Sequence, residues 1–135
     1  MSAPRTIAPS WPDYQLLDAG GGKKLERWGK IITIRPDIQA YFHSGKPFSE
    51  WRTLAHWEFV ETPGKNGRWK ALKTDAPTEW QVTFGRLKFI LGTSTFKHVG
   101  LFPEQAINWT HIDANLNPDD KFLNLFAYTG AASCM

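Results

Sequence analysis

The 135-residue sequence has one cysteine, Cys134, so no internal disulfide can form and a disulfide-stapled secreted scaffold is excluded. No apolar run approaches the ~20 residues that a membrane-spanning helix needs. The stretch from Met1 to Pro12 has no signal-peptide core. The expected compartment is the reducing cytoplasm. Charge of one sign is also scarce, because 16 Lys and Arg stand against 13 Asp and Glu, leaving +3. That excess does not by itself identify a nucleic-acid partner. The four histidines, His43, His56, His98 and His111, lack metal-ligand spacing, and a single thiol makes no thiolate cluster, so no metal site is expected. What is present is an ordinary globular composition, 41% hydrophobic and 14% aromatic, long enough to bury a core without cross-links.

Residues 1–13 carry Pro4, Pro9 and Pro12 with little periodicity and read as a lead-in. A β-rich region is expected over 14–97. Tyr14 to Asp18, Lys24 to Trp28 and Ile31 to Ile34 read as an antiparallel meander. Gly20-Gly21-Gly22 suits a type II′ turn, and Gly29-Lys30 joins the next pair. Ser49 is placed to cap a short helix through Ala55, with Trp51, Leu54 and Ala55 on one face. Strands resume at His56 to Glu61 and Trp69 to Leu72, with Asn66-Gly67 as a type I′ hairpin signal. The clearest hairpin is Trp80, Val82 and Phe84, then Gly85-Arg86, then Leu87, Phe89 and Leu91, with period two on both sides of a Gly-X turn.

The grammar changes after residue 97. Pro103 suits the first helical position, and Phe102, Ala106 and Trp109 recur at helical spacing. Asn117-Pro118-Asp119-Asp120 reads as a turn. Lys121 to Ala127 is apolar on both faces, as a buried parallel strand would be, and runs into the small residues of Tyr128 to Ser133. A parallel strand needs a crossover and a neighbour. The segment 98–135 is therefore expected to open a larger domain, with self-association through the incomplete sheet edge.

Strand, small-residue turn and helix is how open α/β folds receive a nucleotide-like cofactor. The string from Leu123 to Ser133, LNLFAYTGAAS, resembles the first cofactor motif of class I S-adenosylmethionine-dependent methyltransferases. The resemblance is to the branch containing the large-subunit ribosomal RNA cytosine methyltransferases. That branch shows Asn-x-Phe-x-Tyr-Thr-Gly-Gly; this chain has Asn124, Phe126, Tyr128, Thr129 and Gly130, with Ala131 in place of the second glycine. The segment Phe96 to Trp109 resembles what precedes the motif there, and DAGGGKKLERWG with IRPDIQA resembles the opening of the N-terminal β domain.

The resemblance implies an α+β chain: a mainly antiparallel β domain with one short helix, then a helix and the first strand-turn of a Rossmann-like methyltransferase domain. It implies S-adenosylmethionine as cofactor, contacted by Phe126, Ala127, Tyr128, Thr129 and Gly130 largely through backbone, with Phe102 and Gln105 beside it. It further implies RNA as partner, a role in rRNA processing, and no activity in the fragment alone, because the ribose-binding acid and the target-base region come later in the family pattern. The alternative is a stand-alone β module that binds RNA or protein without a cofactor.

Other features read as structure. Trp57, Trp69 and Trp80 are expected to be core or half-buried, while Trp28 and Trp51 stay open. Cys134 is expected to pack the first helix on the sheet rather than to act as a nucleophile. The Gly20 to Gly22 run reads as a hairpin loop rather than a phosphate cradle. Asp18, Lys24, Glu26 and Arg27 read as cross-strand pairs.

Overall fold

A computed structural model describes residues 7–135, so Pro4 and the rest of the first six residues lie outside it. The chain divides into two compact units, one of residues 11–100 and one of residues 101–135 with 7–10.

In the first unit, five strands form one sheet in sequence order: β1 (Tyr14–Gly20), β2 (Lys23–Trp28), β3 (Ile31–Pro36), β4 (Trp57–Thr62) and β5 (Lys65–Ala71). β1, β2 and β3 form the expected antiparallel meander. β3 and β4 are parallel, joined through the loop after Pro36 and helix α1 (Phe48–Leu54). A second antiparallel pair, β6 (Glu79–Phe84) and β7 (Leu87–Gly92), is the hairpin that the period-two alternation predicts, with Gly85 at φ 56 in its turn. Long-range donors tie this pair to the larger sheet. Trp57 Nε1–H donates to the Pro77 carbonyl at 2.8 Å, and the Thr83 N–H and hydroxyl both donate to Asp13 Oδ2 at 2.7 Å.

One face of the five-stranded sheet packs α1, with Leu25, Ile34, Trp51 and Ala55 as a buried cluster. The opposite face holds Trp28, fully buried, whose indole N–H donates to Thr33 Oγ1 at 3.1 Å. Trp28 and Trp51 are thus the most buried tryptophans. Trp57 is also in the core, and Trp69 and Trp80 are half-buried.

Three local expectations are corrected. The β1–β2 turn has both central glycines at positive φ, Gly21 at 57° and Gly22 at 77°, which is type I′ geometry. The β4–β5 turn lies at Pro63-Gly64, flanked by the Thr62–Lys65 pair, and Asn66-Gly67 sits inside β5. Proline fixes φ at the first central position and Gly64 takes φ 70 at the second, so this pair makes the turn. Gly67 is needed for another reason: a Cβ there would stand 2.3 Å from the Val60 carbonyl oxygen, beside the bulge between Val60 and Thr62. α1 begins after Pro47 rather than at a Ser49 cap, and no side chain caps it.

In the second unit, a 3-10 turn at Pro103–Gln105 leads into α2 (Ala106–Asn115), with proline opening the helical run as expected. Asp120 N–H donates to the Asn117 carbonyl at 3.0 Å, forming the expected turn. The parallel strand expected over Phe122 to Ala127 does not form, and the segment carries only local turns. No strand among the described residues pairs with it, and without ladder hydrogen bonds an apolar sequence has no reason to stay extended. Phe122, Leu125 and Phe126 are accordingly exposed rather than packed on α2. A short 3-10 helix, Ala131–Cys134, follows Gly130, and Cys134 is exposed instead of packed. No helix among the described residues is long and apolar enough to cross a membrane.

Candidate functional site

The second unit builds one cavity from two short stretches of chain. Phe102, in extended conformation, precedes the proline-opened turn, so Phe102 and Gln105 are presented by a rigid helix start. Leu101, Trp109 and Ala131 are buried beneath. The second stretch doubles back on itself. Gly130 N–H donates to the Ala127 carbonyl at 2.7 Å, Ser133 N–H donates to the Gly130 carbonyl at 2.9 Å, and Asn124 Nδ2 donates to Ser133 Oγ at 3.0 Å. Closing this hoop takes two left-handed residues, Tyr128 at φ 51 and Gly130 at φ 85. Glycine adopts that conformation freely, whereas an aromatic residue there is strained. Such strain concentrates where surrounding structure serves a site.

The cavity measures about 620 Å³, within the range of small-molecule sites. Of the residues expected to bind a cofactor, Phe102, Gln105, Phe126, Ala127, Tyr128 and Thr129 line it. Gly130 does not line it and acts through its conformation, since an added Cβ would meet nothing within 4 Å. Leu123, Leu125, Trp109 and Glu104 also line it. The two leucines lie inside the string Leu123 to Ser133, and Glu104 and Trp109 inside the segment Phe96 to Trp109, but the sequence reading singles out none of the four for the site.

The Phe102 and Tyr128 rings lie 5.0 Å apart at 52°, giving an aromatic wall. Polar side chains on the lining are Glu104, Gln105, whose Oε1 accepts from Asn108 Nδ2 at 2.8 Å, Asn124, Tyr128 and Thr129. An apolar, aromatic wall with one carboxylate suits a ligand that combines a flat heterocycle with a positive centre, because aromatic faces and a carboxylate both attract cations. The donor set fits S-adenosylmethionine in these respects.

The other features singled out in the sequence lie elsewhere. His98 lines a separate cleft in the first unit with Phe59 and Lys97. Among the described residues no three His, Cys, Asp or Glu side chains gather as a metal site. Asp18, expected in a cross-strand pair, instead accepts from the Gly45 and Lys46 N–H groups and from Trp51 Nε1–H, at 2.9 to 3.0 Å. Lys24 reaches Glu26 at 3.5 Å, but along β2 rather than across strands. Arg27 donates to the Gly29 and Pro12 carbonyls and to Gln15.

No family model and no curated protein matches the sequence. Among solved structures, the chain is similar to one described as a SAM dependent methyltransferase from Agrobacterium tumefaciens, with 33% identity and a TM-score of 0.80. The likeness covers 93% of this chain and 40% of that one, so the chain spans well under half of its neighbour's length. The similarity runs through both compact units and supports the methyltransferase class for this chain.

Proposed function

We propose that this chain is the N-terminal portion of a cytoplasmic S-adenosylmethionine-dependent methyltransferase that acts on RNA, in the large-subunit ribosomal RNA branch. The observation that carries the reading is the gathering of Phe102, Gln105 and Phe126 to Thr129 around one cavity, in a chain 33% identical to a methyltransferase of solved structure. In this reading the cofactor, when bound, supplies an electrophilic methyl group on a sulfonium. The chain's own residues bind and orient. Phe102 and Tyr128 pack flat parts of the ligand, Gln105 offers an amide, and Gly130 holds the hoop closed. Catalysis is then mainly positioning. RNA is favoured by the family resemblance and mildly by the net positive charge. The 135 residues alone are expected to transfer no methyl group, because the family's ribose-binding acid and base-engaging region follow the cofactor motif.

A second reading, a cofactor-free β module, is favoured by the separate compactness of residues 11–100. One experiment separates the two. The chain joined to the remaining catalytic region is titrated calorimetrically with S-adenosylmethionine. The methyltransferase reading expects one-to-one binding that weakens when Phe102 or Gln105 becomes alanine. Absence of binding, or binding indifferent to both changes, overturns it in favour of the module.

A further inference from the structure

One side of the first unit carries a charge and aromatic arrangement that the cofactor cavity does not use. The strand registers Lys23–Pro36, Ile34–Glu58, Glu58–Lys70 and Val60–Arg68 put Lys23, Glu58, Lys70 and Arg68 on one face of the sheet. Beside α1 this face is concave, a groove of about 510 Å³ lined by Lys23, Arg52, Glu58, Val60, Glu61 and Lys70. At its centre Glu58 is buried and already saturated: Lys23 Nζ stands 2.8 Å from Oε1, and Arg52 donates to both oxygens at 2.8 and 3.1 Å. Lys70 and Arg68 are exposed and pair with no carboxylate among the described residues. Lys23, Arg52 and Lys70 against Glu58 and Glu61 leave the groove one positive charge in excess, and Arg68, opposite Val60 in the strand register, adds a second on the same face outside the groove.

At the Lys23 end stands an aromatic platform. The loop between β3 and α1 is fastened to the β1–β2 turn: Gly21 N–H donates to the Phe42 carbonyl at 2.7 Å, and Gly22 N–H donates to the Ala40 carbonyl at 2.8 Å. Asp18 holds the far side of the loop through Gly45 and Lys46. Gly20 has no room for a side chain, since a Cβ would lie 2.2 Å from the Ser44 nitrogen. This fixed loop nonetheless leaves Tyr41 89% and Phe42 52% exposed, their rings 6.0 Å apart. An exposed ring on a loop anchored to the turn that precedes Lys23, together with a basic face, offers what a single-stranded nucleic acid requires. Cations track its phosphates, and an unstacked base finds a face to lie on.

We infer that this face binds single-stranded RNA, with phosphodiesters along Lys23, Arg52, Lys70 and Arg68 and a base stacked on Tyr41. The inference rests on the proposal that the methyl acceptor is RNA. It assigns the strand to residues of the first unit, none of which lines the cofactor cavity.

The test is fluorescence anisotropy of the chain with a labelled twelve-nucleotide single-stranded RNA across a salt series. Arg68→Gln with Lys70→Gln is expected to raise Kd at least tenfold and to flatten the logarithmic salt slope by about 1.4, roughly 0.7 for each lost phosphate contact. Tyr41→Ala is expected to raise Kd at least fivefold without changing the slope, and to spare the weaker binding of duplex RNA. Lys30→Gln with Lys88→Gln removes the same charge from other exposed positions and is expected to leave Kd within twofold. Equal weakening by the two double variants, or an inert Tyr41→Ala, overturns this face while the RNA reading stands. No RNA binding by the unaltered chain overturns this face, and the RNA reading falls with it only when the chain joined to the remaining catalytic region also fails to bind. Thermal melts of the variants, whose replaced side chains are exposed, keep unfolding apart from lost binding.

Discussion

Arg35 grips Glu26 with two parallel hydrogen bonds, Nε to Oε2 at 2.7 Å and Nη2 to Oε1 at 2.8 Å, both side chains almost wholly removed from solvent. The guanidinium also lies 5.3 Å from the Trp28 ring and donates to the Lys97 carbonyl, so one side chain links β2, β3 and the segment after β7. Glu26 further accepts from the Tyr14 hydroxyl at 3.0 Å.

Removing one partner of such a pair leaves a buried charge uncompensated. Arg35→Met is expected to cost about 3 to 5 kcal/mol. Replacing both, Glu26→Met with Arg35→Met, should recover much of that loss. Urea unfolding followed by tryptophan fluorescence measures both. A double variant no more stable than Arg35→Met would mean that the remaining contacts of Arg35, not the ion pair, hold this region together.

Glu58 should make the first unit sensitive to acid. The Arg52 hydrogen bonds, with those of Lys23, hold its carboxyl at about 2, against an ordinary value of 4.5. A carboxyl held low in the folded state contributes stability that is fully present above pH 4.5 and lost as pH falls from 4.5 toward 2. With Arg52 half exposed, the contribution is on the order of 2 kcal/mol. Glu58→Gln should flatten this limb of the stability profile while lowering stability at pH 7. An unchanged acid limb would assign it to other carboxylates.

Gly130→Val should weaken S-adenosylmethionine binding at least tenfold in the protein joined to its remaining catalytic region, equivalent to ~1.4 kcal/mol. The reason is conformational, since space around Gly130 is open and φ is 85°. A β-branched residue resists that region, whereas asparagine enters it at modest cost. Gly130→Asn is therefore expected to bind nearly as well as the original. Equal losses in both variants, read by calorimetry, would point to contact rather than backbone conformation.

Leu123, Leu125 and Phe126 are 78%, 77% and 94% exposed within a few residues of one another. A contiguous apolar patch of this kind favours association. Light scattering should show the chain's apparent mass rising with concentration, and Leu125→Ser with Phe126→Ser should suppress the rise. A constant monomeric mass in the original chain would show that the patch is tolerated in water.

The elements legible in the sequence were those with short-range causes. Alternation around Gly85-Arg86 specifies the β6–β7 hairpin, because both partners and the turn lie within the fourteen residues Glu79–Gly92. Pro103 and the spacing of Ala106 and Trp109 specify the start of α2 in the same way. Phe126 to Thr129, Phe102 and Gln105 stand out through the family resemblance rather than by a local period, and they line one cavity. One turn signal misled as to place. Asn66-Gly67 is an intrinsically good hairpin pair, but Pro63-Gly64 competes for the same connection, and the Val60 bulge decides between them.

The sequence by itself determined the strand and helix periods and the glycine turns at Gly21-Gly22 and Gly85. Tertiary structure alone decided the parallel pairing of β3 with β4, the complete burial of Trp28 and Trp51, the Glu26–Arg35 pair, and the irregular course of Phe122 to Ala127. The division has one physical origin. A hydrophobic period or a turn preference acts within a few residues. A strand exists only when another backbone completes its hydrogen bonds, and a charge can be buried only when a partner from another strand arrives beside it.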